Sequence, residues 1–372
     1  MRTPRIVESA QASELVLDGR RVICMCSNNY LGLANHPQIA QAAREAATAY
    51  GFGACAARHI TGSSSCHVRA ERAIADFMGQ PKALLFSTGY SANVGSVQAL
   101  STRDTLVLSD ELNHASLIDG CRLGRGQVRI YRHGDVEHAA ALLRDERHHY
   151  RAALVLTESV FSMDGDQAPL VALRDLTHRH RAALIVDEAH ALGVVGSSGR
   201  GLCAQLGVSA DLVTGTFGKA FGASGAFATG PAPVVRWIEN CARSYLFSTA
   251  PSPVVAAAAV VAIALVEAAE QGRTRLSENA ARLRAGLREL AYPVPEGDGH
   301  IIPVVLGAAS AATRVSAHLL EHGVFVHGIR PPTVPAGTSR LRLTPMATHS
   351  PDHIATTLTA FRALRPTLAG AP

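Results

Sequence analysis

Short apolar runs recur through the middle of the chain, at residues 83–86, 105–108, 153–157, 183–186, 212–214 and 226–229. Several are continuous rather than alternating, as expected of strands buried on both faces. Between them lie stretches with helical spacing, such as 169–181. Strands alternating with helices predict an α/β fold with a mostly parallel sheet covered by helices. Such a sheet binds its ligand beyond the carboxyl ends of the strands, so the chemistry is expected in the loops after those runs. Past residue 253 the pattern changes. A long helical region (253–290), a strand (300–306), a helix (311–322) and strands at 324–327 and 340–344 predict a smaller α+β domain. The expected division is an N-terminal arm (1–45) packed against that domain, a large domain (46–285) and a C-terminal small domain (286–372).

Composition supports a large core. Of 372 residues, 47% are hydrophobic and only 17% charged, against roughly 25% charged in ordinary soluble domains. The net charge of +5 is spread without a basic block, so nucleic acid is not implied as a partner. The seven scattered cysteines contain no Cys-x-x-Cys pair and read as reduced core residues. The first 15 residues lack an apolar signal-type region, and the longest apolar run, 254–266, is 13 residues. That is short of the roughly 20 needed to span a bilayer, so a cytoplasmic protein is expected.

Of the 35 basic residues only two, Lys82 and Lys219, are lysine. Lysine alone among the strongly basic side chains deprotonates to a nucleophilic amine. Lys82 follows Pro81 ahead of an apolar run and reads as a surface residue. Lys219 closes the segment Asp211-Leu-Val-Thr-Gly-Thr-Phe-Gly-Lys, in which an apolar strand delivers the amine into a glycine-rich turn with room for a flat ligand. A Walker A loop does not fit, because Val213 stands where its first glycine belongs and Ala220 follows the lysine.

Three other strand ends carry polar chemistry. Asp187 and His190 end Leu184-Ile-Val-Asp-Glu-Ala-His; the aspartate reads either as a helix cap or as the partner of a protonated ring nitrogen. Thr88, Gly89 and Tyr90 form a turn into a helix whose first N–H groups would cradle a phosphate. His114 follows a further strand, as a structural histidine or a stacking ring, and Glu158 and Ser162 follow another in the same manner. Gly51-Phe-Gly-Ala-Cys-Ala follows a helical stretch, which speaks against a dinucleotide fingerprint. The paired histidines at 148/149 and 178/180 lack the spacing of a metal site. An amine, an acid, a stacking ring and an anion cradle on one sheet edge are what pyridoxal 5'-phosphate (PLP) requires.

Three segments, 157–170, 186–202 and 214–226, together with Ser27-Asn-Asn-Tyr-Leu-Gly-Leu, resemble the α-oxoamine synthases among the fold type I PLP enzymes, over nearly the whole chain. The resemblance implies the aspartate-aminotransferase-like fold and a homodimer with shared active sites. It implies Lys219 as the Schiff-base lysine and Cα-proton base, Asp187 on the ring nitrogen, His190 at the ring hydroxyl and His114 stacked on the ring. Thr88, Gly89, Tyr90, Glu158, Ser162 and Thr216 would hold the cofactor, with Ser248 and Thr249 reaching the phosphate across the dimer. Asn28 and Arg342 would bind the amino-acid carboxylate. Arg330 and Thr333 would lie toward the acyl substrate, and Arg2 or Arg5 would substitute for an arginine that contacts the acyl donor in relatives. The segment 329–344 is most similar to the branch of the family that condenses L-alanine with a pimeloyl thioester, releasing carbon dioxide, in biotin synthesis. Arg58 is more like glycine-using relatives and His59 more like that branch.

Overall fold

The computed structural model describes residues 4–368, with side chains through Leu364. Its strands are, in chain order, β1 (Glu14–Leu17), β2 (Arg20–Cys24), β3 (Lys82–Phe86), β4 (Thr105–Asp110), β5 (Gln127–Tyr131), β6 (Ala152–Glu158), β7 (Ala183–Asp187), β8 (Leu212–Thr216), β9 (Ala226–Gly230), β10 (Ile302–Gly307), β11 (Val324–Phe325), β12 (Gly328–Ile329) and β13 (Ser339–Leu343). The chain divides into two compact units. The larger holds residues 36–161 and 167–268; among the described residues the smaller holds 4–35, 162–166 and 269–368.

In the larger unit seven strands form one sheet in the order β3-β9-β8-β7-β6-β4-β5. The central pairs are parallel, and β9 runs antiparallel to both its neighbours, β3 and β8. All six apolar runs of the middle region became strands of this sheet. Strand β5 was not anticipated. It is an edge strand, and its polar sequence Gln-Val-Arg-Ile-Tyr is largely half-buried or exposed. Edge position explains the weak apolar signal. Leu84, Val107, Leu156, Ile185 and Leu212 are buried in one cluster with residues of the covering helices.

Two of those helices, Gly89–Leu100 and Ala115–Leu123, meet closely at Gly120. A Cβ added there would lie 2.8 Å from Val97 Cβ and 3.3 Å from the Asn93 carbonyl oxygen. Overpacking of this kind costs about 1–3 kcal/mol. Gly120→Ala is therefore expected to lower the melting temperature, as a thermal scan against wild type would show.

The smaller unit joins the chain's beginning to its end. The β1–β2 hairpin turns at Asp18-Gly19, both with positive φ (49° and 77°), the conformation that favours Asp-Gly in a two-residue hairpin. β2 then pairs in parallel with β11. A second sheet has the order β10-β13-β12. The first strands thus pair with the C-terminal segment, and the compact units divide at residue 35, earlier than the expected 45. Helix Pro37–Tyr50 contacts helix Pro253–Glu267 and belongs to the larger unit. The helical region after 253 breaks at 268–269, so the other boundary also falls earlier than residue 285. Helix Glu270–Glu289 supplies Ala280, Leu283 and Leu287 to the smaller unit's core. Among the described residues no single helix is long and apolar enough to cross a membrane.

His349 lies in that unit with 4% of its surface exposed, its Nδ1 accepting from Met346 N at 2.8 Å. Burial first, and the nearby His353 second, hold its pKa at about 4. The folded chain therefore binds this proton less readily than the unfolded chain, whose histidine titrates near 6.5. The neutral ring's contribution is complete above pH 6.5 and is lost as pH falls toward 4, by about 3 kcal/mol. His349→Gln is expected to flatten the pH dependence of urea unfolding across that window by about one proton.

Candidate active site

The larger unit gathers its polar side chains at the carboxyl edge of the sheet. Strand β8 ends at Thr216, and the turn Phe217-Gly218 delivers Lys219. Lys219 Nζ lies 2.8 Å from His190 Nε2, three residues past the end of β7. Asp187, the last residue of β7, is buried. Its Oδ1 accepts from Ala189 N at 2.9 Å and its Oδ2 from Asn93 Nδ2 at 2.6 Å. Two donors thus fix the two oxygens of this carboxylate. Glu158 ends β6 in register with Asp187. The helix-cap alternative for Asp187 does not hold, since no helix begins there.

His114 is the N-cap of helix Ala115–Leu123, where Nδ1 accepts from Ser116 N at 3.2 Å. Much of its ring is open, while the Nδ1 edge is turned inward. Desolvation first, then the Lys219 charge, lower its pKa, against the opposing pull of Asp187 and Asp119.

Thr88 caps helix Gly89–Leu100: its Oγ1 accepts from Ser91 N at 3.1 Å. Ala92 N bonds to Thr88 O. The N–H groups of Gly89 and Tyr90 have no acceptor among the described residues, as an anion cradle at a helix start requires. A Cβ on Gly89 would sit 3.5 Å from Thr216 Cβ, so this helix start lies beside the end of β8. The Thr216 hydroxyl donates to Gly225 O and accepts from Gly218 N, both at 3.1 Å. The Tyr90 ring is exposed, and its hydroxyl bonds to Asp119 at 2.5 Å. An amine, a carboxylate, an imidazole and bare helix N–H groups on one edge fit PLP.

Ser248 and Thr249 stand apart from this group. The Ser248 hydroxyl donates to Thr249 O at 3.3 Å, and no hydrogen bond joins either residue to Lys219, Asp187 or Thr88. Arg58 is buried and doubly bonded to Glu71 at 2.7 and 3.0 Å. His59 is exposed and bonds to Glu239 O at 3.1 Å. Lys82, expected at the surface, is partly buried in an ion pair with Glu239 at 2.7 Å. It occupies the start of β3, where its stem packs beside the sheet.

In the smaller unit Arg342 is buried, and only neutral acceptors surround it: Ser162 O at 2.5 Å, Asn28 Oδ1 at 3.1 Å and the Tyr30 hydroxyl at 3.3 Å. No carboxylate pairs with it among the described residues. A buried guanidinium held this way is prepared for an external carboxylate. Ser162 thus touches Arg342 through its carbonyl. Arg330 is half-buried and bonds to Thr313 Oγ1 at 3.1 Å, while Thr333 is exposed, with its N–H on Arg330 O. Arg2 lies outside the described residues.

Sequence reading missed Asn93, Ser116 and Thr214. Asn93 lies in an apolar helical stretch, where a buried amide is a poor helix former; that mismatch is the available signal. Glu188 was also passed over. It accepts from Ser159 Oγ (2.7 Å), Leu202 N (3.1 Å) and Cys203 N (2.7 Å), anchoring the loop after β7. Burial pushes its pKa up, against these bonds.

Residues 20–361 match the family aminotransferase class I and II. The 8-amino-7-oxononanoate synthase of Geobacter sulfurreducens is 46% identical over 352 residues, 94% of this chain and 90% of that protein. The enzyme of the same name from Nitrosococcus oceani is 43% identical over 94% of this chain and 93% of its own length. Among solved structures, serine palmitoyltransferase from S. paucimobilis with a bound PLP–myriocin aldimine superposes with a TM-score of 0.94 at 33% identity, covering 99% of this chain and 94% of that one. The Francisella tularensis 8-amino-7-oxononanoate synthase gives a TM-score of 0.80 at 25% identity, covering 94% of this chain and 99% of that one. With residues 20–361 matching that family and relatives 42–46% identical over more than nine-tenths of the chain, the chain belongs to the class I and II aminotransferase family of fold type I PLP enzymes, within its α-oxoamine synthases.

Proposed function

We propose that this chain is a PLP-dependent C-acyltransferase of biotin synthesis. It condenses L-alanine with a pimeloyl thioester, of CoA or of a carrier protein, to 8-amino-7-oxononanoate, the free thiol and carbon dioxide, with uptake of one proton. The observation that carries the reading is the Lys219–His190 contact beside the doubly bonded Asp187, in a chain whose relatives of that activity are 42–46% identical.

Bound PLP supplies a carbonyl for an amine and a ring that withdraws electrons from the substrate Cα. Lys219 would be the amine that holds the cofactor and the base that takes the substrate Cα proton at Nζ. His190 stands against that nitrogen and serves the ring hydroxyl. Asp187, held by Ala189 N and Asn93, would meet the ring nitrogen. His114 offers its open face for stacking. The N–H groups of Gly89 and Tyr90 take the phosphate. Arg342 and Asn28 take the amino-acid carboxylate, and Arg330 and Thr333 lie toward the acyl chain.

A homodimer is part of the same proposal. Ala250 N bonds to Ala56 O, and the Ser252 hydroxyl bonds to Phe52 O, so two loops lie side by side. They expose Phe52, Ile60 and Phe247, each by more than 70%. An exposed apolar group of this kind favours a subunit contact, and it would bring Ser248 and Thr249 to a partner's phosphate. Light scattering of the purified enzyme checks the mass. Mass spectrometry of the product from pimeloyl thioester with alanine, glycine or serine tests the reaction. The expected product is the alanine adduct less carbon dioxide; turnover with glycine or serine alone would transfer the chain to a sibling activity.

A further inference from the structure

The geometry points to Asn93 as the positioning residue that orients both groups facing the PLP ring. Its amide holds the carboxylate of Asp187 and, through Ser116, holds His114 as the neutral imidazole with its proton on Nε2. The inference rests on the PLP reading above and adds to it a residue and a protonation state.

Both N–H groups and the oxygen of the amide are engaged, which leaves one arrangement. Asn93 Oδ1 accepts from the Thr214 hydroxyl at 2.6 Å. One Nδ2 hydrogen goes to Asp187 Oδ2 at 2.6 Å and the other to Ser116 Oγ at 2.9 Å. The carboxylate requires a donor, so the amide's orientation is determined by its partners. Ser116 Oγ, having accepted from Asn93, turns its own hydrogen to His114 Nδ1 at 2.7 Å. Ser116 N donates to the same Nδ1 at 3.2 Å. A nitrogen receiving two donors is the unprotonated one, which leaves the proton of the neutral ring on Nε2.

Protonating Nδ1 would reverse one bond and break the other. Asn93, Ser116 and Thr214 are all buried, so lost bonds there are not replaced by water. A neutral ring is also what stacking on a pyridinium asks for, because an imidazolium would set two positive rings face to face. The charged groups around His114 are Asp187, Lys219 and Asp119. Asn93 therefore serves two ends of one requirement: an anion at the ring nitrogen and an uncharged ring over the face. It touches no substrate.

The test uses the full chain with and without PLP. Ser116→Ala deletes a single oxygen. We expect it to bind PLP with affinity within about threefold of wild type, while the histidine ¹⁵N signals show the His114 tautomer redistributed and its titration moved up by about one pH unit, a tenfold change in proton affinity. Ser116→Thr, which keeps the hydroxyl, should restore both. Asn93→Ala should weaken PLP binding to the apoenzyme by about tenfold or more and move the pH dependence of the visible absorption. Asn93→Asp, which sets a second carboxylate against Asp187, should do worse than alanine. An unchanged His114 tautomer and titration in Ser116→Ala, or wild-type PLP affinity and absorption profile in Asn93→Ala, would overturn the inference. A wild-type chain that takes up no PLP would instead overturn the parent reading.

Discussion

Lys219→Ala loses turnover by about 10⁴-fold or more, the upper range for removing a residue that acts as the base. It also loses the visible band that PLP acquires on bonding to a lysine. The chain offers an unusually clean control, since it has only one other lysine. Lys82 is occupied by Glu239 at 2.7 Å, so Lys82→Ala keeps the band and turnover, with a modest stability loss of up to about 1 kcal/mol for a partly exposed pair. Borohydride reduction of the PLP-loaded enzyme followed by peptide mapping gives the same answer without a mutation: the label belongs on the peptide of residue 219. Turnover surviving in Lys219→Ala, or a label on residue 82, would remove the basis of the assignment. The physical reason for the size of the effect is that no neighbouring group replaces the amine. His190 stands 2.8 Å away, but an imidazole cannot carry the cofactor as an imine in the way a primary amine does.

Asp187→Asn comes second in size. It keeps the shape of the side chain and, on the proposed reading, removes the group that would hold a proton on the ring nitrogen. Loss of one such preorganised electrostatic partner costs about 10²–10³-fold in kcat. The substitution also sets an amide against the Nδ2 hydrogens of Asn93 and the Ala189 N–H, which previously met an anion. One amide oxygen can serve only one of those two places. The expected signature is a fall in kcat with a smaller change in KM for the amino acid, together with a changed absorption profile. Arg342→Lys should do the opposite, raising KM for the amino acid while sparing the cofactor's absorption. A uniform loss of kcat and KM effects in both variants would argue that the two residues act only through folding.

Much of the site was legible because the signals were local. A continuous apolar run followed by Asp187, or by a glycine turn and Lys219, is a strand delivering a side chain to the sheet's carboxyl edge. The structure has both at strand ends. Elements with weak local patterns were missed for matching reasons. Edge strand β5 needs only one apolar face, and the Asp18-Gly19 hairpin lies in a segment read as an arm although its dipeptide is a hairpin signal. The break at residues 268–269 was missed because alanine-rich sequence continues across it.

By itself the sequence determined the mostly parallel sheet, the order of its strands along the chain, and which two or three side chains each strand end presents, since apolar period and turn chemistry act over a few residues. Only the tertiary structure decided how those side chains are held. Asn93 meets Asp187 across 94 residues and Arg342 meets Asn28 across 314. A buried polar atom must find a partner wherever the fold brings one within about 3 Å, and that pairing is a property of the packed molecule rather than of any stretch of chain.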